Sequence, residues 1–361
     1  MNSAESFSAS YREAHIKFEA AAREAGAALD DHPHSEKGPD GERLATTSAW
    51  LGPPQAMKVL VMISGTHGAE GFCGAGAQVD FLRRGEHQRL PKDAAILMIH
   101  AINPFGFAWL RRVTEDNVDL NRNWIDFDQP LPANPGYDAL AEVICPPSWS
   151  PAAQEESAAA LQLYARQNGA MALQQAVSGG QYDHPDGVFY GGAAPTWSRL
   201  TQTRIMQDRL ENAAHVAIID YHTGLGPWGY GERILTDAPG SDAHARAKAW
   251  WGEGLTSTFD GSSTSAEVKG DGLAAAAAIL PRAEVTGIAL EFGTLSLEEV
   301  LTAVRADAWL HAHSNRESGQ WAAIKRQVRD AFYGDADDWK GMIAGQSLIA
   351  CRQALAALDR A

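Results

Sequence analysis

Four apolar runs constrain this chain more than anything else in it: MKVLVMIS at 57–64, AAILMIHA at 94–101, HVAIIDY at 215–221 and VTGIALEF at 285–292. Each is near-continuously apolar rather than alternating, the pattern of a strand buried on both faces. Helical stretches separate them. Helices are predicted over about 4–26, 74–84 and 196–213, and a long one starts behind the capping Ser150 and Pro151. From about Ser296 the tail reads as helices. Buried strands alternating with helices predict an α/β fold, a mixed, mostly parallel sheet with helices on both faces. Residues 125–151 are proline-rich and read as irregular loop, and SGGQYDHPDGVFYGG at 178–192 reads as a loop dense in glycine and aromatic residues. No internal repeat or low-complexity linker interrupts the chain. One domain with a long insertion at about 125–205 and a helical C-terminal tail is the economical organisation for residues 1–361.

Charge and composition exclude several classes. A formal net charge of −15 argues against nucleic acid and against anionic membrane surfaces as partners. The three cysteines, Cys73, Cys145 and Cys351, are far apart and form no CxxC pair, so neither a disulfide framework nor a thiolate metal site is suggested. The first residues lack the basic start and apolar core of a signal peptide. The most apolar stretch, GLAAAAAIL, is too short to span a bilayer. A cytoplasmic enzyme is the expectation.

Three of the apolar runs lead into residues able to do chemistry. The first is followed by His67 and Glu70 in the glycine-ringed HGAEG, the third by His222, and the fourth carries Glu291. In open α/β sheets ligands bind at the carboxyl ends of the strands, so these three ends can converge. Two histidines and one carboxylate, with a fourth position open, form a known catalytic zinc set. Any one of these residues alone reads as a hydrogen-bonded core group; their coincidence at strand ends carries the argument. Asp220 shares a strand face with His222 and could orient its imidazole, or could simply face solvent. Other candidates fall away. His311 and His313 lie two apart on a predicted helix and do not face one another, and His100 lies within a strand as a core residue. No G-x-S-x-G elbow and no phosphate-loop pattern is present.

Between Glu70 and His222 lies NPFGFAWLRRVTEDNVDLNRNW. HxxE, NPxG, an Arg nine residues before the Asn of DLNRN, a later DxH, and a Glu closing an apolar strand together resemble the zinc carboxypeptidase superfamily. That superfamily includes the succinylglutamate desuccinylase and aspartoacylase branch, and the whole chain looks most like a bacterial branch of it with no assigned function. The motifs cover residues 57–125 and two short islands around His222 and Glu291. The resemblance implies a mixed eight-stranded sheet flanked by helices, and one zinc per chain held by His67, Glu70 and His222. It implies Glu291 as general base and Arg112 as oxyanion stabiliser, with Arg111 as the rival one position away. Asn121 and Arg122 would hold a substrate carboxylate; alternatively, Arg122 pairs with Asp119 in a buried turn. The late Tyr with which the family's peptidases close over substrate has no evident counterpart, Tyr182, Tyr190 and Tyr230 all lying in glycine-rich loops. Tyr182 and Tyr190, with Phe189, are expected to border the pocket and meet substrate. The implied activity is a zinc-dependent hydrolase cleaving an amide bond next to a free carboxylate, of carboxypeptidase or peptide-amidase type. The alternatives are an aspartoacylase-like N-acyl amino acid deacylase and a catalytically silent member that binds metal or peptide. The partner would be a small peptide or an N-acyl amino acid, with neither nucleic acid nor membrane; the oligomeric state is left open.

Overall fold

A computed structural model describes residues 2–361. Its frame is one eight-stranded sheet in the order β1-β2-β4-β3-β5-β8-β6-β7. The strands are β1 (Ala28–Lys37), β2 (Arg43–Leu51), β3 (Lys58–Ile63), β4 (Ala94–His100), β5 (His215–Trp228), β6 (Gly231–Leu235), β7 (Thr256–Ser257) and β8 (Glu284–Gly293). The central pairs β4–β3, β3–β5 and β5–β8 are parallel, as is β6–β7, while β1–β2, β2–β4 and β8–β6 are antiparallel. The sheet is therefore mixed and mostly parallel, as the four apolar runs require.

Those runs are β3, β4, β5 and β8. Their side chains alternate between two cores, which is why they are apolar throughout. On one face Leu60, Met62, Ile96, Met98, Ala217 and Ile219 pack with α1 (Tyr11–Glu24), α2 (Gly71–Arg83), α9 (Asp242–Trp251) and α13 (Asp337–Arg360). On the other, Val59, Val61, Ile63, Leu97, Ile99, Val216 and Ile218 pack with α8 (Trp197–Arg209) and α10 (Gly272–Ile279). A third cluster joins α4 (Pro135–Asp138), α5 (Ala141–Ile144), α6 (Pro151–Asn168) and α7 (Ala170–Ser178) to α11 (Leu297–His313) and α12 (Trp321–Phe332). A short helix, α3 (Pro104–Ala108), completes the set.

Several expectations are corrected. The helix anticipated over 4–26 is a 3₁₀ turn at Ser3–Ser6 followed by α1, whose N-cap Ser10 accepts from the Glu13 N–H. The long helix behind Ser150 is two helices, α6 and α7, divided at Gly169, where φ is +96°. The region read as irregular loop holds the two single-turn helices α4 and α5. The outer strands β1 and β2 on one side and β6 and β7 on the other carry no continuous apolar run. The sequence ALDDHPHSEK of β1 is polar because β1 is a largely exposed edge, where Pro and charge are tolerated. Strand β2 is buried, yet it is built of Ala, Thr and Ser whose hydroxyls bond within the protein, as Thr46 does to the Ala101 carbonyl at 2.9 Å.

Register sets the site. Ile63, the last residue of β3, stands opposite Asp220 of β5. Strand β5 continues past this point, so His222 lies opposite Glu291 on β8. The chain leaving β3 turns over that upper edge. Gly65 makes the turn at φ +71°. Gly68 then passes so close to Gly106 that a Cβ would fall 2.0 Å from the Gly106 carbonyl carbon. The glycines of HGAEG and NPFG thus serve one backbone-to-backbone contact. It is closed by the N–H groups of Gly68 and Ala69, which donate to the carbonyls of Arg112 and Arg111 at 3.0 and 2.7 Å.

Candidate metal centre and substrate cavity

His67 is the N-cap of a 3₁₀ turn, Gly68–Glu70, that folds Glu70 back toward it. His67 Nδ1 lies 3.0 Å from Glu70 Oε1. His222 Nδ1 reaches the same place from β5, 3.2 Å from His67 Nδ1 and 3.1 Å from Glu70 Oε2. All three residues are buried, and each offers a ligand atom within 4.8 Å of the others.

The far sides of the rings are also engaged. Nε2 of His67 faces Oδ1 of Asp119 at 3.1 Å, and Nε2 of His222 faces Oδ2 of Asp220 at 3.0 Å. A ring that gives its Nε2 proton to a carboxylate presents a bare Nδ1 lone pair on its other side. The two Nδ1 atoms and the Glu70 carboxylate converge on one point, an arrangement that favours positive charge at its centre. The donor set, two imidazoles and a carboxylate, fits a divalent transition metal such as zinc. The electrostatics of the protein alone point the same way. Burial would raise the Glu70 carboxyl, but His67, Arg112 and the hydrogen bond to His222 outweigh it and hold the group well below its usual range. Burial would lower the His222 imidazole, yet Asp220 and Glu70 raise it well above its ordinary value.

Glu291 enters from β8. Its Oε1 accepts from the Leu225 N–H at 3.1 Å, and burial, reinforced by the charge of Glu70, pushes its carboxyl up to about 8. Arg112, in the loop that bonds to the His67 turn, donates from Nη1 to Glu70 Oε1 at 2.6 Å and from Nε to Asp119 Oδ2 at 3.1 Å. Arg111 turns the other way, to Asp307 and Asn117. Of the two neighbouring arginines only Arg112 borders the cavity described next.

That cavity has a volume of about 520 Å³, and His67, Arg112, Asn121, Arg122, His222 and Glu291 all line it. Arg122 donates from Nη1 to the Asn121 carbonyl at 3.1 Å and from Nη2 to the Ser178 carbonyl. Its Nη1 is also 3.7 Å from Asp119, so the pairing weighed as an alternative in the sequence is present together with the exposure to the cavity. Its Nε is buried without any partner. That N–H is packed against Gly180, where a Cβ would fall 3.1 Å from it, and leaving it unpaired is costly. The Asn121 side-chain oxygen accepts from the Gly272 N–H at 3.3 Å.

Two residues expected at the substrate do not reach the cavity. Tyr182 is buried and donates its hydroxyl to the Arg122 carbonyl at 2.6 Å, and Tyr190 is buried with its carbonyl accepting from the Asp119 N–H at 2.8 Å. Both brace the DLNRN turn from behind. Phe189, between them, does line the cavity; its φ is +55°, and Arg112 and Arg122 sit 5.6 and 5.5 Å above its ring. A Gly-rich loop hides which of its aromatics faces inward, because it has no period. Asp119 as the partner of His67 also escaped sequence reasoning. Its signal was available: an acid two residues before Asn121, at the mouth of a buried turn.

The chain was then compared with known proteins. The profile of a family described as "Protein of unknown function (DUF2817)" matches residues 7–346. The chain belongs to that family. No curated protein matches it. Among solved structures it is similar to bovine thrombin-activatable fibrinolysis inhibitor in complex with tick carboxypeptidase inhibitor, at 9% identity and a TM-score of 0.49, covering 98% of this chain and 97% of that one. It is also similar to carboxypeptidase A from Helicoverpa armigera (12% identity, TM-score 0.47, 96% of this chain and 74% of that one). A third is the metallo-carboxypeptidase from Burkholderia cenocepacia (12%, TM-score 0.43, 94% and 68%). Among the described residues no helix is long and apolar enough to cross a membrane.

Proposed function

We propose that this member of the DUF2817 family is a metal-dependent hydrolase of an amide bond adjacent to a free carboxylate. The observation that carries the reading is the convergence of His67, Glu70 and His222 within 4.8 Å beside a cavity lined by His67, His222 and Arg122. His67, Glu70 and His222 would hold the metal, zinc by its donor set, one per chain. When bound, such a cation polarises a carbonyl and makes hydroxide accessible near neutral pH.

The chain's own residues supply the rest. Arg122 and Asn121, both on the cavity wall, dock the substrate carboxylate. This fixes the scissile amide relative to Glu291. Glu291, desolvated on β8 opposite His222 of β5, accepts a proton from the attacking water and returns it to the leaving amine. Arg112 stands beside the ligands as the donor for charge developing on the carbonyl oxygen. Helix α7 contributes Met171, Leu173 and Val177 to the wall near Arg122, so apolar surface surrounds the carboxylate dock.

A carboxypeptidase substrate and an N-acyl amino acid both present this amide. The test is metal analysis of the purified protein together with mass-spectrometric screening of free-acid peptides, their C-terminal amides and N-acyl amino acids. The expected result is about one zinc per chain and cleavage confined to free acids. Protein that neither carries nor takes up zinc, or that cleaves none of them, sinks the reading.

A further inference from the structure

We infer that the acyl side of the scissile amide is a hydrocarbon chain, which makes the substrate an N-acyl amino acid with a medium-length aliphatic acyl group. This rests on the hydrolase reading above and specifies its substrate.

The inference comes from helix α11. Leu297, Val300, Leu301 and Val304 all line the cavity, at positions i, i+3, i+4 and i+7. That spacing puts them in one stripe along a single helix face. The stripe runs from the surface inward: Leu297 is 56% exposed and Val304 8%. Seven residues of helix rise about 10 Å, the reach of an extended octanoyl chain. Phe332 and Phe189 lie on the same cavity. The stripe abuts the reaction centre. A Cβ at Gly224, two residues after His222, would meet Phe332 at 2.9 Å and Val300 at 3.5 Å, and Phe189 lies under Arg112.

What separates an acyl chain from a peptide is the fate of polar groups. A peptide laid along this surface buries an N–H and a C=O at every residue, each costly without a partner. The stripe and the two phenylalanines carry no polar side chain. Three neighbouring polar groups of β5 are already committed: Thr223 N–H to Glu70 at 3.0 Å, Thr223 Oγ1 to the Phe332 carbonyl at 2.6 Å, and Leu225 N–H to Glu291 at 3.1 Å. A hydrocarbon chain asks for none of them and gains from every methylene buried.

The experiment holds the amino acid constant and varies the acyl group. N-acetyl-, N-hexanoyl- and N-octanoyl-leucine are compared with a tetrapeptide ending in leucine, on the metal-loaded protein, by kcat/KM. Binding of the acetyl and octanoyl compounds to Glu291→Gln is measured in parallel by calorimetry. The rate is expected to rise about threefold for each added methylene, so that octanoyl exceeds acetyl by at least about 100-fold and also exceeds the tetrapeptide. Leu301→Asp should cut the octanoyl-to-acetyl ratio by at least about tenfold; an unchanged ratio overturns the proposal. Equal rates for acetyl and octanoyl, or a preference for the tetrapeptide, overturn it too while leaving the hydrolase reading standing. Cleavage of nothing, with octanoyl-leucine still bound well above acetyl-leucine by Glu291→Gln, sinks the hydrolase reading and supports the acyl subsite. Cleavage of nothing and equal binding overturn both.

Discussion

Asp119 holds two residues of the site with one carboxylate. Oδ1 lies 3.1 Å from His67 Nε2, and Oδ2 accepts from Arg112 Nε at 3.1 Å. The carboxylate is wholly buried. Burial alone would raise its pKa, but Arg112, Arg122 and His67 outweigh that and keep it ionised. Asp119→Asn keeps the shape and loses the charge that fixes the His67 tautomer. Removing such a partner typically weakens metal binding about 10–100-fold. Titration with a chelator of known affinity measures this directly. Unchanged affinity would mean that the Asp119–His67 contact does not set the tautomer.

Glu291 is predicted to be needed for turnover and not for metal. Glu291→Gln should retain zinc while losing roughly two to four orders of magnitude in kcat. Metal content and single-turnover rate on one preparation separate the two. A variant that keeps its rate on a cleaved substrate would assign Glu291 a structural role, bonding the β5 backbone at Leu225.

Arg122 is predicted to discriminate acid from amide. Matched free-acid and C-terminally amidated substrates should differ by at least about tenfold in kcat/KM, the factor that roughly 1.4 kcal/mol represents. In Arg122→Ala most of that difference should vanish. Arg122→Lys keeps the charge without the planar fork and should still be impaired. An equal loss on both substrates would trace the effect to the bonds Arg122 makes to the Asn121 and Ser178 carbonyls.

A pH effect on stability follows from a buried cluster behind Arg112. His311 Nε2 faces Lys325 Nζ at 2.7 Å, and Asp307 and Arg111 complete its surroundings. Burial, then the charges of Arg111 and Lys325, pushes the imidazole down to about 3 against the pull of Asp307. The unfolded chain therefore binds a proton at His311 that the folded chain refuses. Stability must fall as pH drops from about 6.5 toward 3, by an amount on the order of 2–4 kcal/mol from this group. Urea denaturation across that window, wild type against His311→Gln, checks it. The variant should show a shallower loss, and parallel curves would contradict the assignment.

The parts of this protein that were legible in the sequence are those where one residue type satisfies one physical demand. The strands β3, β4, β5 and β8 had to be apolar throughout because both of their faces are covered, and they stand out for that reason. His67, Glu70, His222 and Glu291 stand out because chemistry-bearing groups beside such strands are rare. The edge strand β1 is polar and half solvated, so nothing in its composition distinguishes it from a loop. Strand β2 hides its burial behind threonine and serine that bond internally. Tyr182 and Tyr190 misled because aromatic residues in a glycine-rich loop promise contact area without saying on which side. The stripe on α11 has a clean helical period, but a period says only that a face is buried, and here part of that face meets a cavity instead of the core.

The contact between Gly68 and Gly106 has a mechanical consequence. Because their backbones touch, and because the carbonyls of residues 111 and 112 hold the N–H groups of 69 and 68, the turn bearing His67 and Glu70 cannot slide without carrying Arg112 along. Two stretches of chain about forty residues apart behave as a single casting. The spacing between the Glu70 carboxylate and the Arg112 guanidinium is then insensitive to thermal jostling of either loop. Breathing of the cavity falls to its outer walls, where Met171, Phe259 and Leu297 stand exposed at the rim.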